Sequence, residues 1–209
     1  MKITAIEPQK KKRRKNIFLD GEFGFGLSDE NIIRFGLRIG DELTKEFIEE
    51  IRYTEEFSGA KRIALRSLAR IMKTEQEIRR KLASFQFADS VIEKTIAFLA
   101  EHNFLNDEKY GELFVNDATQ RKLLGKKLVF YQLQAKGIPK ALAQQSVAKI
   151  DVESERRNAI LLGQKKMALL TSSQKKLTIE QVRRRTGDFL LRRGFSSEIV
   201  FSVLKKLFS

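Results

Sequence analysis

The stretch KLASFQFADSVIEKTIAFL, Lys81–Leu99, has two counterparts further along the chain. They are QLQAKGIPKALAQQSVAKI at Gln132–Ile150 and FLLRRGFSSEIVFSVLKKL at Phe189–Leu207. Leu82, Phe87, Val91, Ile96 and Leu99 meet Leu133, Ile138, Leu142, Val147 and Ile150 at an offset of 51 residues. A further 57 residues on they meet Leu190, Phe195, Ile199, Leu204 and Leu207. Apolar spacing of three and four marks one buried stripe per helix. The stretches therefore read as helix–turn–helix, with the turns Ser84-Phe85-Gln86-Phe87, Ala135-Lys136-Gly137-Ile138 and Arg192-Arg193-Gly194-Phe195. Gly137 and Gly194 suit a helix end that requires positive φ, and Pro139 suits the start of the next helix.

Apolar periodicity puts a further helix before each pair, at about residues 60–72, 109–122 and 156–170. The third unit's six extra residues fit the polar segment Thr171–Thr178. Self-similarity at this period defines a repeat architecture. The expected fold is mainly α: three tandem three-helix repeats forming an elongated curved body, with a small N-terminal head containing a β-hairpin. The expected divisions are 1–58 for the head, then 59–107, 108–155 and 156–209 for the repeats.

The head reads as β up to Leu27. Lys2–Glu7 alternates until Pro8, and Asp20-Gly21 separates the runs Asn16–Leu19 and Glu22–Leu27 as a two-residue hairpin turn. Ser28 is expected to cap a helix with acids in its first turn. Gly36 and Gly40 bracket a break, and a further helix is expected through Glu42–Ile51.

The 209 residues carry 41 Lys and Arg against 27 Asp and Glu, a net charge of +14. Zero cysteines exclude disulfides, thiolate metal sites and a thiol nucleophile, and one histidine, His102, excludes a multi-histidine site. No apolar run approaches the ~20 residues of a membrane span, and the N-terminus lacks the order of a secretory signal. No metal, cofactor or membrane association is expected; the expected location is the cytoplasm. The charge is segregated. Residues 1–15 hold seven basic groups and one acid, residues 156–209 hold thirteen basic groups and three acids, and the stretch between is nearly balanced. Segregated positive charge points to a polyanion.

Phe104-Leu-Asn-Asp-Glu-Lys-Tyr110, Phe114-Val115, Gly125-Lys-Lys-Leu128 and Leu133-Gln-Ala-Lys-Gly-Ile138 together resemble the central signature of the RecX family. Glu77–Leu82 resembles its preceding element, and the head resembles the longer members from Gram-positive bacteria. The resemblance covers nearly the whole chain. It implies a non-enzymatic regulator, mainly an inhibitor, of the RecA recombinase. Such a protein binds the RecA–single-stranded-DNA filament and limits its ATPase, growth and strand exchange in homologous recombination, DNA repair and the SOS response. It implies weak, sequence-nonspecific binding to single- and double-stranded DNA, and a monomer is expected.

The expected nucleic-acid contacts are Lys10, Lys11, Lys12, Arg13, Arg14 and Lys15 in the head. In the third repeat they are Lys165, Lys166, Lys175, Lys176, Arg183, Arg184, Arg185, Arg192 and Arg193. Guanidinium suits bidentate phosphate contact and ammonium supplies a point charge. Six phosphate contacts would give a log–log salt slope near −5, at about 0.9 per phosphate. Arg183, Arg184 and Arg185 are consecutive, so one of them is expected to pack over a neighbouring element. Lys126, Lys127 and Lys136 are the expected partner contacts. Asp107 reads as the N-cap of its own helix, Tyr110 as packing between the first two repeats, and His102 as a helix-end residue. The alternative is a general DNA-binding or nucleoid-type protein, which would bind naked DNA as tightly as it binds a recombinase filament.

Overall fold

The structure, a computed structural model, describes residues 1–10, 13–172 and 177–209. It divides into two compact units, residues 1–71 with 78–104 and residues 72–77 with 105–209.

The first unit opens with an antiparallel sheet in the order β1 (Ile3–Pro8), β2 (Arg14–Leu19), β3 (Glu22–Ser28). Asp20 and Gly21 form the β2–β3 turn with φ of 51° and 92°, as a two-residue hairpin requires. The first strand joins this hairpin as a third member, pairing Ile6 with Ile17 and Pro8 with Lys15. Residues 40–43 cover its outer edge, with Ile3 N donating to the Asp41 carbonyl at 2.9 Å. Ile3, Ile17, Leu19, Phe25 and Leu27 form a core with Ile48 and Ile51 of the long second helix.

α1 (Asp29–Phe35) ends at Gly36, with φ 64°. α2 (Lys45–Leu68) is a single helix capped by Thr44. The helices expected at Glu42–Ile51 and 60–72 are therefore one, and the expected division at 58–59 falls inside it. The sequence between holds no proline, and Gly59 stays helical, its Cα facing the Phe87 ring. Ser28 occupies the N-cap position of α1 but does not cap it: its hydroxyl donates to the buried Glu55 carboxylate at 2.7 Å.

The remaining helices follow the repeat. α3 (Glu75–Ser84) and α4 (Asp89–Glu101) complete the first trio with α2. α5 (Asp107–Asn116), extended by a π-helical turn at Asp117–Arg121, α6 (Lys126–Ala135) and α7 (Lys140–Ala148) form the second. α8 (Val152–Thr171), α9 (Ile179–Arg192) and α10 (Ser197–Leu207) form the third. None of the fifteen repeat positions is exposed, and ten of them are buried. The polar segment expected to hold the third repeat's insertion lies between α8 and α9, with residues 173–176 outside the described ones.

The three turns share one backbone shape. Gln86, Gly137 and Gly194 have φ of 62°, 91° and 89°. Gly194 meets the start of α6: Gly125 N donates to the Arg193 carbonyl at 2.9 Å and Lys127 N to the Gly194 carbonyl at 3.1 Å. A Cβ on Gly194 would fall on Leu128 and its backbone nitrogen. Gly137 likewise meets the first turn of α3, whose Thr74 hydroxyl donates to the Lys136 carbonyl at 2.7 Å. Gln86 is exposed.

Acidic side chains complete both joints. Asp107 Oδ1 accepts from Glu75 N at 3.0 Å, and Glu155 Oε1 accepts from Lys126 N at 2.8 Å. Asp107 thus adds an acceptor to the first turn of α3, where Thr74 also accepts from Glu77 N at 3.1 Å. It does not cap its own helix, whose cap is Asn106, accepting from Lys109 N at 2.8 Å.

Candidate nucleic-acid interface

The third repeat's charges are exposed by its own helical phase. Val182, Thr186 and Leu190 are spaced by four and buried. Residues two positions away lie about 200° round a helix, at about 100° per residue. Arg184, Asp188 and Arg192 are therefore turned to solvent as one row, with Arg185 beside them. Together with Lys166 and Leu170 of α8 they line a cleft of about 480 Å³.

Four cations thus surround one carboxylate. None of them has an ion-pair partner among the described residues, and Lys166 lies 5.6 Å from the centre of the Phe189 ring. From Arg184 to Arg192 the row covers about 12 Å of helix, at about 1.5 Å per residue. A duplex strand carries one charge per about 3.4 Å of rise, so the row can meet more than one phosphate. Arg183, Arg184 and Arg185 are all exposed, so the expected packing of one of them over a neighbour is not seen. Lys165 and Arg183 are exposed outside the cleft. Arg193 serves the joint, donating to the Lys122 carbonyl of the second repeat. Lys175 and Lys176 lie outside the described residues.

The head treats its basic run differently. Lys10 and Arg13 are exposed around the β1–β2 turn, and Lys15 is half-buried on β2. Lys11 and Lys12 lie outside the described residues. Arg14 is bound into the fold: it pairs with Glu55 at 2.5 Å and donates to the Gly26 carbonyl at 3.2 Å. Glu55 also accepts from Ser28 N at 3.1 Å and from Asn31 Nδ2 at 2.6 Å. Burial pushes this carboxyl up, but the bonds from Ser28 and Asn31, with the Arg14 charge, outweigh it and hold the group below its ordinary value.

The expected partner contacts also separate. Lys127 is exposed, Lys126 is half-buried at the α6 start, and Lys136 pairs with Glu77 at 2.7 Å. Tyr110 stacks on Phe114 and packs on the second repeat's core of Ala118, Leu124, Val129 and Leu133. Burial raises its hydroxyl's pKa against the pull of nearby Lys136, while Glu77 and Asp107 add to the rise. Burial also raises Asp107, against its bond from Glu75 N and with the charges of Glu75 and Glu77. His102 Nδ1 lies 2.9 Å from the Phe98 carbonyl at the end of α4, as expected. Among the described residues, no helix is long and apolar enough to cross a membrane.

A β head followed by three three-helix repeats, the last with arginines that have no ion-pair partner among the described residues, defines a class of basic helical-repeat protein. The comparisons agree with that class. The RecX N-terminal domain matches residues 1–44, the first RecX three-helix domain residues 60–99, and the third residues 153–204. The chain is 33% identical to a regulatory protein RecX from Clostridium beijerinckii, over 99% of this chain and 95% of that one. It is also 33% identical to one from Clostridium perfringens strain 13, over 99% and 96%. A crystal structure of regulatory protein RecX superposes with a TM-score of 0.73 at 26% identity, over 98% of each chain. That of RecX from Lactobacillus salivarius shares the fold, with a TM-score of 0.66 at 21% identity over 74% of this chain and 97% of that one. The chain belongs to the RecX family of regulatory proteins.

Proposed function

We propose that this chain regulates the RecA recombinase in the cytoplasm by binding its filament on single-stranded DNA and limiting ATP hydrolysis, growth and strand exchange. The observation that carries the reading is the cleft of Lys166, Arg184, Arg185 and Arg192 in a member of a regulatory family. The cleft's cations contact phosphates, with Lys165 and Arg183 beside them and Lys10, Arg13 and Lys15 adding contacts from the head. Arginine and lysine reading phosphate oxygens give position without sequence preference. Lys127, exposed beside the joint of the second and third repeats, is the favoured protein contact, while Lys126 and Lys136 act through the joints they help hold.

The test is a titration of RecA's DNA-dependent ATPase, with affinities for filament and naked DNA measured at the same salt. Inhibition is expected at concentrations well below those that coat naked DNA. Inhibition that appears only once the DNA is coated would turn the protein into a general DNA binder.

A further inference from the structure

Charge and aromatic rings also meet in the first compact unit, at a place that the repeat pattern does not single out and that the basic run reaches only through Arg14. β3 and one face of α2 enclose a cleft of about 600 Å³. Arg52, Glu56, Gly59 and Arg62 recur at helical spacing along the α2 wall. Phe23 and the backbone of Gly24 and Gly26 supply the strand wall, and Phe87 joins from the α3–α4 turn.

Two guanidiniums are fixed in place by strand carbonyls. Arg14 donates to the Gly26 carbonyl at 3.2 Å, and Arg52 to the Gly24 carbonyl at 3.2 Å while lying 5.7 Å from the Phe25 ring centre. Side chains ordered before binding lose little freedom when a ligand arrives. Arg62 is exposed, with no ion pair or hydrogen bond among the described residues. Phe23 is 61% exposed, its ring meeting the Phe18 ring edge-on at a centroid distance of 6.2 Å. Glu55 already pairs with Arg14, and exposed Glu49 lies 3.4 Å from Arg52, so the cations facing the cleft opening are Arg52 and Arg62. An exposed phenyl beside these two guanidiniums suits a ligand that is both planar and anionic.

We propose that this cleft is a second nucleic-acid site that takes an unpaired nucleotide, its base stacked on Phe23 and its phosphate held by Arg52 and Arg62. An unpaired nucleotide has its ring face open, and stacking on an aromatic side chain tolerates every base. An acidic peptide would satisfy the arginines but would leave Phe23 unused. Glu56 is exposed on the same wall and opposes an anion, so it sets the affinity low. The inference rests on the nucleic-acid part of the proposed function and does not depend on RecA.

The experiment is fluorescence anisotropy with the full chain at fixed salt. The probes are a labelled oligothymidine and a base-free deoxyribose-phosphate strand of equal length. Phe23→Ala is expected to weaken oligothymidine binding about fivefold or more and to leave the base-free strand unchanged. Phe23→Leu, which keeps apolar bulk, replaces it if alanine lowers the Tm. Arg62→Ala should weaken both strands and Glu56→Gln should tighten both. These effects should persist when Arg184, Arg185 and Arg192 are all alanine. An equal effect of the Phe23 variants on both strands, no effect on either, or loss of the effect in the triple-alanine background would overturn the site. ATPase inhibition that fails while the Phe23 effect stands removes the RecA reading alone; the reverse result removes the cleft alone.

Discussion

Arg14 and Arg184 lie in similar basic runs at opposite ends of the chain, yet the fold uses them in opposite ways. Arg14 is a counter-ion: its partner Glu55 is buried, and the pair ties β2 to α2. Arg184 lies in a row with Arg192, exposed and without an ion-pair partner among the described residues. The difference teaches that charge counted in a sequence is not charge available to a ligand. What decides is whether a carboxylate distant in sequence has already claimed the cation.

The comparison breaks most readily at Glu55. Glu55→Ala strands the Arg14 charge and the Ser28 and Asn31 donors, and should cost about 3–5 kcal/mol of stability in urea unfolding. A small loss there, with weakened DNA binding in Arg14→Ala, would show that the two ends are alike after all.

Acid sharpens the same contrast. The Glu55 pKa lies below its unfolded value of 4.5, so its contribution is complete above that pH and is lost as pH falls through the lowered folded value. Urea midpoints of Glu55→Gln should therefore fall less steeply than the parent's below pH 4.5. Asp107 has the opposite sign, because a folded pKa above 3.8 means that protonation favours the native state. Asp107→Asn can still accept from Glu75 N while removing repulsion from Glu75 and Glu77. It should leave stability at neutral pH unchanged or raised by less than about 1 kcal/mol.

At the other end, replacing Arg184, Arg185 and Arg192 by alanine should change stability by no more than about 0.5 kcal/mol per site. The DNA-binding salt slope should flatten by up to about 3. An unchanged slope would reduce the row to solvated surface.

What the sequence disclosed follows the range over which its signals act. Leu82, Leu133 and Leu190 declare the repeat because burial needs an apolar residue at each, and Asp20-Gly21 declares its turn because few residues accept two consecutive positive φ values. The division expected at 58–59 is crossed by a continuous helix, because apolar spacing shows where two helical stretches are but not whether they are joined, and Gly59 stays helical against Phe87. Ser28 and Asp107 have the right chemistry for capping, but their partners, Glu55 and Glu75, are 27 and 32 residues away. Local pattern cannot choose between a near and a distant partner. The third-repeat cleft was legible as a cluster, since Arg184 and Arg192 share a helical face. The head cleft was not, because Phe23, Arg52 and Phe87 meet only through the packing of a strand, a helix and a turn.

A chain assembled from repeats also has to set how closely each module docks on the next. The joint at Gly194 works because neither partner backbone carries a Cβ at the point of contact, Gly125 facing Gly194 directly. The equivalent joint at Gly137 has Thr74 in place of Gly125 and adds its hydroxyl bond to the Lys136 carbonyl. The first trio has the same backbone turn without the glycine. Gln86 reproduces the backbone angle and keeps an exposed side chain. Single positions in this way decide how closely one backbone can approach the next.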